Sequence, residues 1–170
     1  MKKTAIFVIA VVLSAGCVTD SGMSASNSSP AVVMGRDARF VAYSNGTVLD
    51  NKTGLMWASR DNGNPITWDE AKDYCSNYRG GGYTDWRMPT LNELRALYDP
   101  RITNATPPSA DCKGGCHLTD FIHLSCCPIW YWNGIDEVPG FFHFGMGPKD
   151  WRDQSLAGNH PRALPVRRAK

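Results

Sequence analysis

Apolar positions change their spacing along the chain, and each change predicts a different element. An unbroken apolar run from Ala5 to Leu13 follows Lys2 and Lys3 and ends at Ser14-Ala15-Gly16-Cys17. That run is short for a bilayer span and has the charged, apolar, small-residue layout of an export signal over 1–16. Periodic apolar signal then disappears over 17–38, where Ser21, Ser24, Ser26, Ser28 and Ser29 alternate with other small residues. This stretch predicts a flexible tether that holds the rest of the chain on the order of 25 Å away.

From Arg39 the pattern becomes short and extended. Arg39–Tyr43 and Thr47–Asp50 flank the turn signal Asn45-Gly46, and a second turn at Asn51–Gly54 leads into Leu55–Ala58. The spacing predicts an antiparallel meander whose third strand, apolar throughout, is buried on both faces. At Thr67 the period lengthens to that of a helix. Thr67 and Glu70 form a capping box, Trp68, Ala71, Cys75 and Tyr78 share one face, and Gly80-Gly81-Gly82 ends the helix. A second capping box, Thr90 with Glu93, opens a helix that buries Leu91, Leu94, Leu97 and Tyr98 and stops at Asp99-Pro100. Between the helices Trp86 suits the core, while Asp85 and Arg87 on either side point away from it and can bond backbone or carboxylates.

Arg101–Pro128 has no clean period and contains Pro107-Pro108 and Gly114-Gly115, so it reads as a long loop. Aromatic extended runs come next, at Trp130-Tyr131-Trp132 and Phe141–Phe144. Pro165 lacks a backbone donor, which puts the final strand, Leu164–Arg168, at a sheet edge or makes it irregular.

A length of 170 residues suits one domain, over 39–170. Of the 18 basic residues, Lys2 and Lys3 leave with the signal, so 18 − 2 = 16 basic groups balance 16 acidic ones. A formally neutral domain excludes bulk-charge binding of nucleic acid. The basic tail, Arg162, Arg167, Arg168 and Lys170, reads as a solvated strand edge guarded by charge.

The ending Leu13-Ser14-Ala15-Gly16-Cys17 resembles a bacterial lipobox, which implies lipid attachment at Cys17. By resemblance to the sorting rule of such lipoproteins, Val18 after the cysteine favours the outer membrane, facing the periplasm or the cell surface; a plain secreted protein cut near Ala15 is the alternative. Cys75, Cys112, Cys116, Cys126 and Cys127 remain, and an odd number leaves one unpaired. With His117 and His123 nearby, the last four raise a zinc site, but an exported chain favours disulfides. The expected pattern is one bond from Cys112 or Cys116 to Cys126 or Cys127, and one from Cys75 to the same region. No nucleophile elbow, zinc-protease or phosphate-loop motif is present. No metal or cofactor is therefore expected.

The segments DNKTGLMWA, TWDEAKDYC, GGYTDWRMPTLNEL and YWNG resemble the DUF1566 or Lcl C-terminal domain family. The resemblance implies an α+β, C-type-lectin-like fold: two short helices packed on twisted antiparallel sheets, with a long disulfide-tied loop. It implies a surface or secreted binding module; the family's namesake is a collagen-like adhesin that binds sulfated glycans. Architectural kinship with formylglycine-generating enzymes adds a copper-dependent oxidase as an alternative. A further alternative is a subunit of an envelope or surface-filament assembly. Members often carry a cysteine in the last strand, and Leu164–Arg168 has none, so the partner that resemblance would give Cys75 is missing, and Cys75 needs another partner or stays free. The expected function is a non-catalytic, lipid-anchored envelope module that binds a glycan or a protein. Its candidate contact residues are Tyr131, Phe141, His143, Trp151 and Arg152, with Trp130, Trp132, Phe142 and Phe144 assigned to the core.

Overall fold

Turns at Asn45-Gly46 and Asn51–Gly54 fold the chain back on itself twice. The resulting meander pairs β2 (Phe40–Tyr43), β3 (Thr47–Asp50) and β4 (Leu55–Ala58) antiparallel, with Phe40 opposite Asp50 and Thr47 opposite Ala58. All four residues of β4 are buried, as its uniform apolarity requires. The structure is a computed structural model that describes residues 31–104, 115–134, 138–151 and 161–169.

Two edge strands complete this sheet in the order β1-β2-β3-β4-β8, with β1 (Val33–Arg36) beside β2 and β8 (Val166–Arg168) beside β4. Strand β8 lies at an edge, as Pro165 predicts. Strand β1 falls inside the stretch read as tether, so the folded unit starts earlier than Arg39. Its residues give no alternation to read: Val33, Met34 and Arg36 all face solvent. Arg39 locks the meander to the second helix, since its guanidinium donates twice to Asp50 and once to the Ala96 carbonyl. Burial opposes ionisation of Asp50, but the hydrogen bonds from Arg39 and Thr53 outweigh it and hold the carboxyl below its usual range.

Both helices begin where their capping boxes predict. In α1 (Trp68–Asn77) the Thr67 N–H donates to Glu70 Oε2 at 2.7 Å while Thr67 Oγ1 accepts from the Glu70 N–H; α2 (Leu91–Leu97) repeats the device with Thr90 and Glu93. The buried faces are Trp68, Ala71 and Cys75 in α1 and Leu94 and Leu97 in α2.

The second sheet, β5 (Pro128–Tyr131), β6 (Gly140–His143) and β7 (Gly147–Trp151), is antiparallel in that order. Its β5–β6 hairpin is buried on both faces. Ile129, Tyr131 and Phe142 enter the main core with Trp57 and Leu94, while Trp130 and Phe141 join a second cluster with Trp68, Cys75 and Met88. The start of α1 seals that second face: Trp68 Nε1 donates to the Tyr131 carbonyl and Trp130 Nε1 to the Ile66 carbonyl. The architecture is therefore α+β with two helices and antiparallel sheets, and is compatible with a C-type-lectin-like fold.

The region after Arg101 is tied down in its described parts. Buried Asn104 donates to the Thr119 and Ile122 carbonyls, and Cys116 bonds Cys127 at the start of β5.

Candidate ligand-binding cleft

The Gly80–Gly82 turn brings the chain against the meander. Gly81 has φ +65, and a Cβ there would stand 2.7 Å from Thr47 Cγ2, so only glycine fits this approach. Behind the turn, buried Trp86 donates from Nε1 to the Gly80 carbonyl and meets the Tyr78 ring edge-on at 5.1 Å. Arg87 then exchanges backbone hydrogen bonds with Val166 of β8 at 2.9 and 3.0 Å. Trp86 and Arg87 fix one end of the segment. Gly82–Asp85 thereby stands across from β4 and β8, leaving a cleft of about 320 Å³ lined by Met56, Gly82, Tyr83, Thr84, Asp85 and Arg167.

Met56 and Arg167 are cross-strand neighbours in the β4–β8 register. Arg167 is only 4% exposed, and a buried guanidinium is tolerated only with partners. It donates from Nε and Nη2 to the two Asp85 oxygens at 2.6 and 3.1 Å, and its carbon Cζ lies 3.9 Å from the centre of the Tyr83 ring. Nη1 reaches the Met56 thioether at 3.7 Å. Asp85 is 45% exposed, so the pair has a dry cationic end and a wet anionic end. Chemically the cleft lining offers a ring, a threonine, and a carboxylate and guanidinium paired with each other.

Arg162 and Arg167 correct the reading of the tail as a solvated, charge-guarded edge. Both are buried, and only Arg168 of that strand is exposed. Arg162 Nε donates to Ser125 Oγ, whose own hydroxyl, with the Ser125 N–H, donates to Asp61 Oδ2. Burial pushes the Asp61 carboxyl above its ordinary range, partly offset by hydrogen bonds from Gly63 and Ser125. This carboxylate–serine–guanidinium chain cross-links three distant segments. The Ser125 hydroxyl accepts from a cation and donates to a carboxylate, an arrangement that holds loops and does not generate a nucleophile.

Among the described residues, the predicted contact residues do not form an exposed cluster. Tyr131 and Phe141 are corrected to core, at 3% and 4% exposure: Tyr131 lies on the face that enters the main core, and Phe141 lies on the opposite face, which α1 covers. Trp132, assigned to the core, is instead 41% exposed; its backbone N–H donates to the Pro89 carbonyl. His143 is half-buried. Its Nδ1 accepts from the Gly145 N–H, and burial pushes its pKa down. Trp151 ends β7 with its side chain outside the described residues, as are Cys17, Cys112 and Arg152.

Cys116 and Cys127 pair within the loop as expected, and Cys126 is also disulfide-bonded. Cys75 corrects the second expected bond: it is free, fully buried among Trp68, Ala71 and Met88, and burial pushes its thiol up to about 12. No pair of free thiols is left among the described residues to serve as metal ligands. Among those residues, no cluster of three or more His, Cys, Asp and Glu could hold a metal ion, and no helix is long and apolar enough to cross a membrane.

The cleft residues Tyr83–Asp85 are visible in the sequence as part of a scaffold segment. Arg167 is missed there as their partner, because nothing local links positions 82 residues apart. Compared with known proteins, the family model described as Lcl C-terminal domain matches residues 46–136, just over half of the chain. The match includes both capping boxes and the cleft residues Met56 and Tyr83–Asp85, while Arg167 lies beyond it. No curated protein and no solved structure gives a match.

Proposed function

Because the chain belongs to the Lcl C-terminal domain family, we propose that it is a surface-associated binding module that takes a glycan or a protein ligand without catalysis. The observation that carries this reading is the cleft itself. It combines an aromatic ring with donors and acceptors of both signs, on a backbone fixed by Trp86, Gly81 and the Arg87–Val166 bridge. Ser125, a serine held by a carboxylate, is engaged by Arg162 and serves as a cross-link. Cys17 anchors the module to the outer membrane through lipid.

A glycan and matrix-protein array probed with the intact chain tests the reading, with Thr84→Trp as the cleft-blocking control. Binding that the control loses supports it; an array silent under oxidising conditions overturns it. Attachment at Cys17 is read separately, as a lipid mass increment on the mature protein that Cys17→Ser abolishes.

A second reading, a subunit of an envelope assembly, is favoured by one observation. Edge strand β1 presents Met34 at 70% exposure with Val32 and Val33 beside it, apolar residues on an edge of the kind that pairs with another chain, with exposed Arg36 at its end.

A further inference from the structure

We propose, resting on the reading of Cys17 as a lipid anchor, that the open half of the outer face of the five-stranded sheet docks on the bilayer surface that holds the anchor. The register fixes the two faces of this sheet, since residues directly opposite each other in an antiparallel ladder share a face. Phe40, Val48, Trp57 and Val166 enter the main core. The row Val41, Leu49, Met56 and Arg167 and the pair Val33 and Tyr43 therefore face outward. Over β4 and β8 that face is taken up by the segment Gly82–Asp85. Over β1, β2 and β3 it stays open: Val33 and Met34 are 39% and 70% exposed, and Val41, Tyr43 and Leu49 are partly exposed.

The chemistry of the open half decides its occupant. Its side chains are apolar apart from the hydroxyl of Tyr43, and an apolar body with a polar tip suits the boundary between hydrocarbon and headgroups. At the end where β1 turns into β2 and β3 into β4, Arg36 and Lys52 are exposed, and neither side chain has a partner among the described residues. The exposed acid there, Asp37, accepts from the Arg39 and Phe40 N–H groups, and Arg39 is paired with Asp50. Apolar side chains bordered by two unpaired cations match acyl chains bordered by phosphates. A second copy of the chain fits less well. Val33 lies opposite Tyr43 and Gly35 opposite Ala42, so Met34 is the extra residue of a bulge that interrupts the edge ladder. Five side chains also fall short of the about 800 Å² per partner that a stable interface buries.

The anchor supplies proximity. Only 32 − 17 = 15 residues separate Val32 from Cys17, and a chain of that length reaches at most about 50 Å at full extension. Strand β1 is the first strand after Cys17, so chain order puts the open face next to the lipid. A face too weak to hold a bilayer from solution acts once it is confined there, because the encounter has become intramolecular. Each Lys or Arg at an anionic surface favours the docked form about fivefold, a share that salt screens. The cleft occupies the other half of the same face, so docking holds it at the membrane surface.

The test places the intact lipidated chain in nanodiscs of phosphatidylethanolamine and phosphatidylglycerol, one chain per disc, with a gadolinium chelate on a small share of the headgroups, and reads the paramagnetic broadening of each amide. Broadening is expected at Val33–Arg36, Val41–Tyr43 and Lys52, and is expected to spare β5 and β6, which pack on the opposite face of the sheet. Val33→Asp with Met34→Asp, at exposed positions, is expected to abolish the broadening at Val41–Tyr43 while the lipid stays attached. Arg36→Gln with Lys52→Gln, which leaves the apolar side chains in place, is expected to lower the docked-to-free ratio by about tenfold or more. Broadening that survives both double variants comes from the tether alone and overturns the inference, as does broadening spread evenly over the domain. The assembly reading draws on the same strand and is separated from this one in solution: a Cys17→Ser chain that self-associates, and that Val33→Asp with Met34→Asp returns to monomer, assigns the face to a second copy and overturns docking on lipid. A lipidated chain with no broadening at this face overturns the docking alone, and a chain without a lipid mass increment at Cys17 overturns the anchor reading with it.

Discussion

Arg87 grips Glu93 with both arms of its guanidinium, Nη1 to Oε2 at 2.8 Å and Nη2 to Oε1 at 2.6 Å, while the same carboxylate closes the capping box of α2 by accepting from the Thr90 N–H. One carboxylate thus fixes both the entry to α2 and the strand-like segment that bridges β8. The Asp-Trp-Arg motif is scaffold at Trp86 and Arg87, and its Asp85 faces the cleft.

Glu93→Gln is expected to cost about 1 kcal/mol at neutral pH, the scale of one partly exposed charged hydrogen-bond pair. Burial opposes ionisation of Glu93, but the Arg87 hydrogen bonds win and its pKa is lowered. A lowered folded pKa gives stability that is full above the unfolded value, about 4.3, and is lost as pH falls through the folded one. The deficit of the variant, read from urea unfolding, should therefore be present at pH 7 and shrink near pH 3. An equal deficit at both would sink this account.

Asp85→Ala strands a buried guanidinium and is expected to destabilise by about 2 kcal/mol, reduced from the fully buried case because Asp85 is half in water. Arg167→Met removes the charge with its partner left solvated, and is expected to cost less than Asp85→Ala. Urea midpoints in the opposite order would contradict the buried-cation picture.

The Cys75 thiol, raised to about 12 by burial, is expected to resist iodoacetamide at pH 8 in the native chain and to react only on unfolding. Rapid native labelling would show that the second core cluster is open. Cys75→Ser, which buries a hydroxyl in the same apolar cluster, is expected to cost about 1–3 kcal/mol.

The Cys116–Cys127 bond closes a loop of sequence separation 11. Chain-entropy reasoning gives about 3 kcal/mol for a loop of this size. Cys116→Ala together with Cys127→Ala is expected to lower the melting temperature by several degrees. An unchanged melting temperature would mean that Asn104 and the surrounding core hold the loop without the bond.

Local signals are legible in this chain and distant ones are not. Thr67–Glu70 and Thr90–Glu93 can be read because each capping box is complete within four residues, and β4 because four adjacent apolar side chains admit few other readings. Alternation misplaces Phe141 because it assumes that one face of a hairpin meets water, and α1, some 60 residues earlier, covers that face; it misplaces Tyr131 by one residue of phase, since Tyr131 shares the main-core face with Ile129 and Phe142. Arg162 and Arg167 read as surface charge because their partners, Ser125 and Asp85, are 37 and 82 residues away. Counting cysteines leaves one unpaired without saying which; that it is Cys75 follows from its place on the apolar stripe of α1.

Whether the Tyr83–Asp85–Arg167 cleft is the binding surface is decided by amide chemical-shift mapping of the intact chain with its best array ligand. Shifts are expected to concentrate at Gly82–Asp85 and at Arg167, with Trp132 and His143 still. Shifts centred on Trp132–Gly134 and His143, with the cleft silent, would contradict this and return the site to the aromatic hairpin.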